Sequence, residues 1–521
     1  MSAQCMHPVA GGYMPLVGTL AERHPSLWVV GERGGEFPAL EGDRRCDVVV
    51  VGAGITGLTL ARLLVDAGVD VVVIDAGPVC AGATGYTTAK VTALHRLVYR
   101  ELADRHGDER ARAYAGANQD AVERIAAFVA EDSIECDLVR APAVTYTEQD
   151  ENVPRIEAEA EVAVRLGLPI ELTTTTSLPY PVKAAIRLDG QLHFHPRRYC
   201  LGLARDVVAR GGAVHEHTRA LKVATRPSGV VVSTDSVAIT ADRVALATHL
   251  PFVDRGGFFA RAHPHRSYAL SARLRGDVPQ AMYISVEEPT RSVRPAPGSR
   301  IIVSGEGHKT GHDPDTRRRY AALEDWATRV FEVEAIEHRW SAQDYQTVDG
   351  LPYVGRLTAR DERILVATGF RKWGMTNGTA AAQIIADAVL ERENPWATAF
   401  DATRLAPRAS IVDFVRDNLD VARRFVGDRL AELRTPSADT LARGMGGIVK
   451  RGAARVAAYR DPDGALHAVS STCTHLGCHV TFNTAEQTWD CPCHGSRFDV
   501  DGRVIEGPAV KDLGTRESPA G

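Results

Sequence analysis

Three glycines, Gly52, Gly54 and Gly57, lie inside the run DVVVVGAGITGLTLARLLVDAGVDVVVID (47–75) and leave the chain few ways to fold there. The apolar DVVVV reads as a buried strand, ITGLTLARLLVDAG as a helix, and VDVVVID as a second strand. A strand that turns directly into a helix uses Gly52 for the tight turn. Gly54 lets a pyrophosphate approach the backbone, Gly57 lets helix pack on strand, and the helix N-terminus favours the phosphate charge. Asp75 ends the second strand eighteen residues after Gly57, placed to accept the hydroxyls of an adenosine ribose. A lone G-x-G-x-x-G is a weak signal. In strand–helix–strand context with a distal acid it predicts a Rossmann-like α/β domain that binds a dinucleotide.

At 521 residues the chain exceeds what one core comfortably serves, so two or three domains are expected. A net charge of −5 provides no basic footprint for nucleic acid. The first thirty residues lack a basic stretch followed by an unbroken apolar one. The most apolar window, VVVVGAGITGLTLARLLV, is interrupted by three glycines and Arg62. Neither a signal peptide nor a transmembrane segment is expected, and a cytoplasmic location is the corresponding expectation. Cysteine usage is uneven. Cys5, Cys46, Cys80, Cys136 and Cys200 are scattered and read as buried, reduced thiols, whereas the other four fall within 473–493.

The pattern along the chain predicts an irregular lead-in over 1–45 and a large α/β unit over 46–405. Within that unit the dinucleotide-binding parts fall around 46–95, 195–250 and 345–395, and a β-rich substrate domain occupies most of 96–194 and 251–344. SIVDFVRDNLDVARRFVGDRLAEL then places Ile411, Val415, Leu419, Ala422, Val426 and Leu430 at helical spacing. That predicts a linker helix and, with RTPSADTLARGMGG, a hinge over 406–447. From about Ile448 short β-like runs with DPDG and DVDG turns predict a small all-β module over 448–521.

That module contains CTHLGC (473–478) and CPCHGS (491–496). Cys473 and His475 form C-x-H, Cys491 and His494 form C-x-x-H, and fifteen residues (476–490) separate the pairs. Two thiolates and two neutral imidazoles suit a [2Fe–2S] centre with one iron bound by sulfur and the other by nitrogen. Two Cys and two His also suit zinc, although this spacing is unusual for it. Both hexapeptides closely resemble the boxes of Rieske domains, over roughly residues 448–514. The resemblance implies Cys473, His475, Cys491 and His494 as the metal ligands. It further implies, from the Rieske proteins of cytochrome bc complexes, a disulfide between Cys478 and Cys493. Ser496 matches a serine that hydrogen-bonds cluster sulfur in high-potential members, and Phe498 stands where a tyrosine is frequent. Losing that hydroxyl implies a lower potential. GPA (507–509) resembles the proline loop that covers the cluster. The imidazoles are expected at an exposed edge that gives electrons a short exit. A Rieske oxygenase would need a separate 2-His-1-carboxylate iron, and no helical D-x-x-H signature for one stands out.

Two further segments favour FAD over NAD as the dinucleotide. GATGYTTAK (82–90) is small and hydroxyl-rich, suited to wrapping a flavin's phosphate and ring. ATGFRKWGMTNGTAAAQIIADAV repeats the glycine-turn-then-helix device, and a helix N-terminus at Met375–Gly378 can aim its dipole at the flavin ring. VVGAGITGL, TGYTTAKVTALH, FHPRRY, ADRVALATHLPF, FARAHPHRSYAL, YQTVDGLPYVGR and GFRKWGMTNGTAA together resemble the D-amino-acid-oxidase-like FAD-dependent oxidoreductases, in particular a bacterial subgroup with a fused C-terminal Rieske domain. The fold this implies is a two-domain, Rossmann-like flavoprotein followed by the small all-β module. The resemblance carries FAD contacts onto Gly52, Gly54, Gly57, Asp75, Thr84, Thr87, Thr88, Ala220, Thr248, Gly369, Met375 and Thr376.

It also implies hydride transfer from a C–N bond to FAD, which needs orientation and a neutral amine more than an acid–base pair. Lys372, inside the flavin-binding turn, is the leading catalytic candidate. His195, Arg261, Tyr268, Tyr345 and Trp373 are further candidates, with Arg261 suited to a carboxylate, and His95 is another residue able to approach the flavin. HPHR (263–266) reads as a solvated loop. The expected activity is oxidation of a small amine or amino-acid-like substrate, with electrons passed singly through the cluster to an external redox carrier. Reverse flow, or a cluster serving only as a redox sensor or docking module, are the competing readings.

Overall fold

The computed structural model describes residues 24–31, 35–404, 436–451 and 454–515. The helix expected over 411–430 lies outside the described residues.

Arg44–Val51 is the hub of the first sheet because Val48 to Val51 are buried on both faces. It pairs in parallel with Val71–Ile74 on one side and Ala238–Leu246 on the other. Ala213–His215 extends the sheet beyond Val71–Ile74, and Ile364–Thr368 runs parallel beside Ala238–Leu246. Antiparallel additions, Gly229–Ser233, Lys222–Arg226 and Tyr353–Arg356, bring it to eight strands. The parallel strands end level, with Val51 opposite both Ile74 and Leu246 and Leu246 opposite Val366. Gly52, Asp75, Thr248 and Gly369, far apart in sequence, therefore collect at one carboxyl edge, where open α/β sheets bind their ligands. Helix Ile55–Asp66 leaves that edge, and Gly374–Val389 packs beside it. Thr56 and Gly378 meet there, where a Cβ on the glycine would stand 2.5 Å from the threonine hydroxyl.

The second eight-stranded sheet runs Val333–Thr347, Ala262–Leu274, Arg300–Lys309, Arg291–Ala296, Met282–Ser285, Ala143–Thr147, Ala184–Leu188 and Ile170–Thr173. HPHR is not a solvated loop: it opens the strand Ala262–Leu274, with His263 and Arg266 buried. Pairing on both sides with Arg300–Lys309 and Val333–Thr347 places the segment inside the sheet. The lead-in is also structural. Ser26 donates to the Gly85 carbonyl, and Trp28 Nε1 donates to the Thr87 carbonyl at 2.7 Å, clamping the 84–88 segment.

The C-terminal module is all-β. Met445–Arg451, Ala454–Arg460 and Leu466–Ser470 form one antiparallel sheet. Thr481–Asn483, Thr488–Asp490, Arg497–Phe498 and Val504–Glu506 form another, packed around Phe482, Trp489 and Phe498. The module docks on the second sheet and on the helix Arg317–Val330 packed against it, through buried polar contacts. Tyr320 OH and Ser341 Oγ both donate to Glu486 Oε1 at 2.6 and 2.9 Å, and Thr316 Oγ1 donates to Asn483 Oδ1 at 2.7 Å. Gln343 Nε2 donates to the Gly495 carbonyl at 2.8 Å. Gly495 has to be small and left-handed (φ +77°): a Cβ there would meet Pro264 at 2.6 Å.

Candidate functional site

One cavity of about 1020 Å³ lies between the carboxyl edge of the first sheet and the face of the second. Gly52, Gly54, Asp75, Thr84, Thr87, Thr88, Ala220, Thr248 and Met375 line it. Gly52 has φ +114°, and an added Cβ would stand 2.5 Å from the Ala247 carbonyl oxygen. A Cβ on Gly57 would lie 1.9 Å from the Gly52 carbonyl oxygen, so Gly57 serves close packing and does not face the cavity. Gly369 (φ +79°) turns the chain behind the wall, and Thr376 donates to the Thr92 carbonyl at 3.1 Å. Asp75 accepts from Ala53 N at 2.7 Å and Gly77 N at 2.9 Å; burial pushes its carboxyl up while these two donors oppose the shift. Neither helix that points its N-terminus here is capped by the side chain of its own N-cap residue; Thr84 Oγ1 accepts from Ile55 N at 3.2 Å, and further first-turn N–H groups are left for a ligand. The backbone cradle, the two helix ends and the acid fit FAD.

Lys372 lines the cavity in a left-handed conformation (φ +71°), with its backbone N–H on Asp344 Oδ2. It is an exposed residue that is nonetheless enclosed by protein, because what it faces is the cavity. Burial lowers its pKa, against the pull of Asp344. Nζ would stand 2.8 Å from a Cβ on Gly307, so the bare glycine makes its room. Tyr268 does not turn its side chain to the cavity: its ring is fully buried against Tyr320 and His308, with the hydroxyl 3.1 Å from His308 Nε2. Trp373 stacks on His95 (4.5 Å, 18°), and burial drives His95 down to about 3, keeping it neutral. Lys90, in the TTAK segment, lines the wall as well. Burial and then Arg294 bring it down to about 7, and it donates to the Tyr283 carbonyl at 2.7 Å and to Ser292.

His195 and Arg261 lie outside this cavity. His195 is the N-cap of helix Pro196–Ala209, its Nδ1 accepting from Arg198 N at 3.3 Å, and it packs on Trp28. Arg261 donates to the carbonyls of Ala402 and Arg404 at 3.0 and 3.1 Å and lies 4.0 Å over the Tyr353 ring. A bidentate carboxylate site is incompatible with that use of the guanidinium. Tyr345 is fully buried at the junction with the C-terminal module, donating to the His494 carbonyl at 3.1 Å.

In the module, Cys473, His475, Cys491 and His494 converge from two loops. The Nδ1 atoms of both histidines are buried without a hydrogen-bond partner, the orphaned state expected of atoms that ligate a metal. Cys473 and Cys491 are buried, unbridged thiols. The sulfurs of Cys478, Cys491 and Cys493 lie within 4.8 Å of one another, but Cys478 and Cys493 form a disulfide, which leaves Cys491 as the ligand of that group. Burial and then His475 hold His494 down to about 3, in the neutral form a ligand needs. Ser496 Oγ accepts from Ala509 N at 3.0 Å, tying the second ligand loop to the proline loop. These residues fit a [2Fe–2S] cluster.

The module's 505–510 loop forms part of the cavity wall. His249 sits at this seam between Asp344 Oδ1 and Glu506 Oε1, both at 3.1 Å. Burial opposes its charge, but the two carboxylates override that and lift it to about 9. The expected exposed histidine edge is absent. His494 is 6% exposed and the His475 side chain 5%, because residues 254 and 259 of the larger domain cover them. Sequence reasoning missed His249, Asp344, Glu506, Asp254 and Phe259. Each acquires its place only through the docking of two domains, and no local spacing signals it.

A parallel sheet with a dinucleotide cavity, walled by a Cys2His2 β-module, defines a flavin oxidoreductase with its own iron–sulfur centre. The model of the FAD dependent oxidoreductase family matches residues 47–388, and that of the Rieske [2Fe-2S] domain matches 434–517. The chain belongs to the FAD dependent oxidoreductase family and ends in a Rieske domain, so its cofactors are FAD and a [2Fe–2S] cluster. It is 38% identical to a putative Rieske 2Fe-2S iron-sulfur protein, YhfW, of Bacillus subtilis (strain 168), over 92% of this chain and 94% of that one. It is 26% identical to gamma-glutamylputrescine oxidoreductase of Escherichia coli (strain K12), over 67% of this chain and 85% of the relative. Glycine oxidase of Geobacillus kaustophilus shares the fold, with a TM-score of 0.61 and 18% identity over 70% of this chain and 99% of the other. Among the described residues no helix is long and apolar enough to cross a membrane.

Proposed function

We propose that the protein oxidises the C–N bond of a small amine or amino-acid derivative and passes the two electrons, one at a time, to an external redox carrier. The observation that carries this reading is the shared wall: residues 505–510 of the iron–sulfur module line the same cavity as the flavin-binding turn. Bound FAD supplies the hydride acceptor, and the cluster supplies one-electron carriage. Gly52, Gly54, Asp75, Thr84, Thr87, Thr88 and Thr248 hold the dinucleotide. Lys372 faces the space left for substrate and orients it. Lys90, held near neutrality in pKa, is able to take the proton that a substrate ammonium has to lose before hydride can leave the adjacent carbon. The products are the iminium ion, the two electrons handed to the carrier, one proton from the ammonium and a second released on reoxidation. The seam at His249 keeps the module against the cavity.

An anaerobic screen of amines and amino acids, followed by absorbance at the flavin and cluster bands, tests the reading. A substrate bleaches the flavin and then the cluster within one turnover, and little peroxide forms in air. Peroxide accumulating over an oxidised cluster contradicts electron passage; an unbleached flavin across the screen contradicts amine oxidation. With the substrate found, Lys372→Met lowers kcat/KM about 10²-fold while FAD stays bound.

A further inference from the structure

The roof over the histidines comes from the segment that follows strand Ala238–Leu246 and from the short helix Phe258–Arg261 that it leads into. The Phe259 ring stands edge-on to His494 at 5.3 Å and to His475 at 6.3 Å. Beside it, Asp254 Oδ1 is 2.8 Å from His475 Nε2. With Nδ1 turned inward and unpartnered, the proton of a neutral ligating imidazole resides on Nε2, so His475 donates to Asp254. The larger domain thus places one carboxylate on one ligand of the cluster. Phe259 covers the two imidazole rings with an apolar ring.

We infer that Asp254 is a positioning residue for the iron–sulfur centre: its carboxylate fixes the orientation of His475 and holds the reduction potential of the cluster down. A negative charge on the far side of the imidazole makes the ring a more electron-rich ligand, which favours the oxidised cluster over the reduced one. Coulombic repulsion of the added electron acts in the same direction, reduced but not abolished by the half exposure of the Asp254 side chain. The domain that holds the flavin therefore sets the potential of the centre it exchanges electrons with, whichever way the electrons run.

The test is an EPR-monitored redox titration of the full-length holoprotein, comparing wild type with Asp254→Asn and Asp254→Ala. Asparagine keeps the acceptor and the shape and removes the charge. It raises the ratio of reduced to oxidised cluster at the wild-type midpoint about tenfold, a positive shift of about 59 mV for one electron. Alanine raises it at least as far and alters the g-values, because His475 loses its partner. Arg255→Gln changes the neighbouring surface charge without touching His475 and leaves the ratio within about twofold. A midpoint for Asp254→Asn within twofold of wild type overturns the inference, as does an equal shift in Arg255→Gln.

Discussion

The two ends of the cavity are made of different material. The dinucleotide end is backbone: glycines that admit close approach, uncapped helix N-termini, and one acid that itself leans on two backbone N–H groups. The cluster end is side chain: two thiols, two imidazoles, and around them His249, Glu506, Asp344 and Asp254. A backbone site is set by conformation and fails when a side chain is added. A side-chain site is set by chemistry and fails when one is removed.

The sharpest way to break the contrast is Cys491→Ser. It abolishes the cluster, read as loss of iron and of the EPR signal, while the flavin remains bound at full occupancy. Flavin loss in that variant would show that the two ends are one structural unit. At the other end, Gly57→Ala drives a Cβ to 1.9 Å from a backbone oxygen that has no freedom to retreat. FAD occupancy drops and stability falls by about 1–3 kcal/mol by thermal denaturation, with the cluster kept.

The seam between the two ends is the next target. His249 is raised above its unfolded pKa, so its contribution is full below about 6.5 and is lost as pH rises through about 9. Burial pushes Glu506 up, but His249 overrides it and the carboxyl ends below its ordinary value, so its contribution is lost as pH falls through the acid range. Stability therefore peaks between these limits, and the His249 part amounts to about 3 kcal/mol at most. Glu506→Gln flattens the alkaline limb of melting temperature against pH; an unchanged limb contradicts the charge pairing. The smallest effect is expected at His195→Ala, which removes an N-cap at a cost of about 1 kcal/mol. kcat stays at the wild-type value, and a fall of a hundredfold would return His195 to the chemistry.

The same contrast governs what the amino-acid sequence discloses. Cys473, His475, Cys491 and His494 lie within 22 residues, so the ligand set is a matter of spacing along the chain, and the disulfide partners lie in the same two boxes. Gly52, Gly54, Gly57 and Asp75 are legible because a strand–turn–helix is local. Arg261 looked like a carboxylate binder because a guanidinium's partners are invisible in sequence; it is used by Ala402, Arg404 and Tyr353. HPHR looked like a loop because its pairing strands lie some forty and eighty residues on, and only sheet formation buries it. The closed histidine edge is illegible for the same reason. Asp254 and Phe259 are more than two hundred residues from the imidazoles they cover.

The central claim is that flavin and cluster exchange electrons inside one molecule across a shared wall. Laser-flash photoreduction of the bound flavin, with cluster reduction followed at several protein concentrations, tests it without a known substrate. The account predicts a first-order rate that is independent of concentration. A rate that scales with protein concentration would mean that the electrons travel between molecules, and would contradict it.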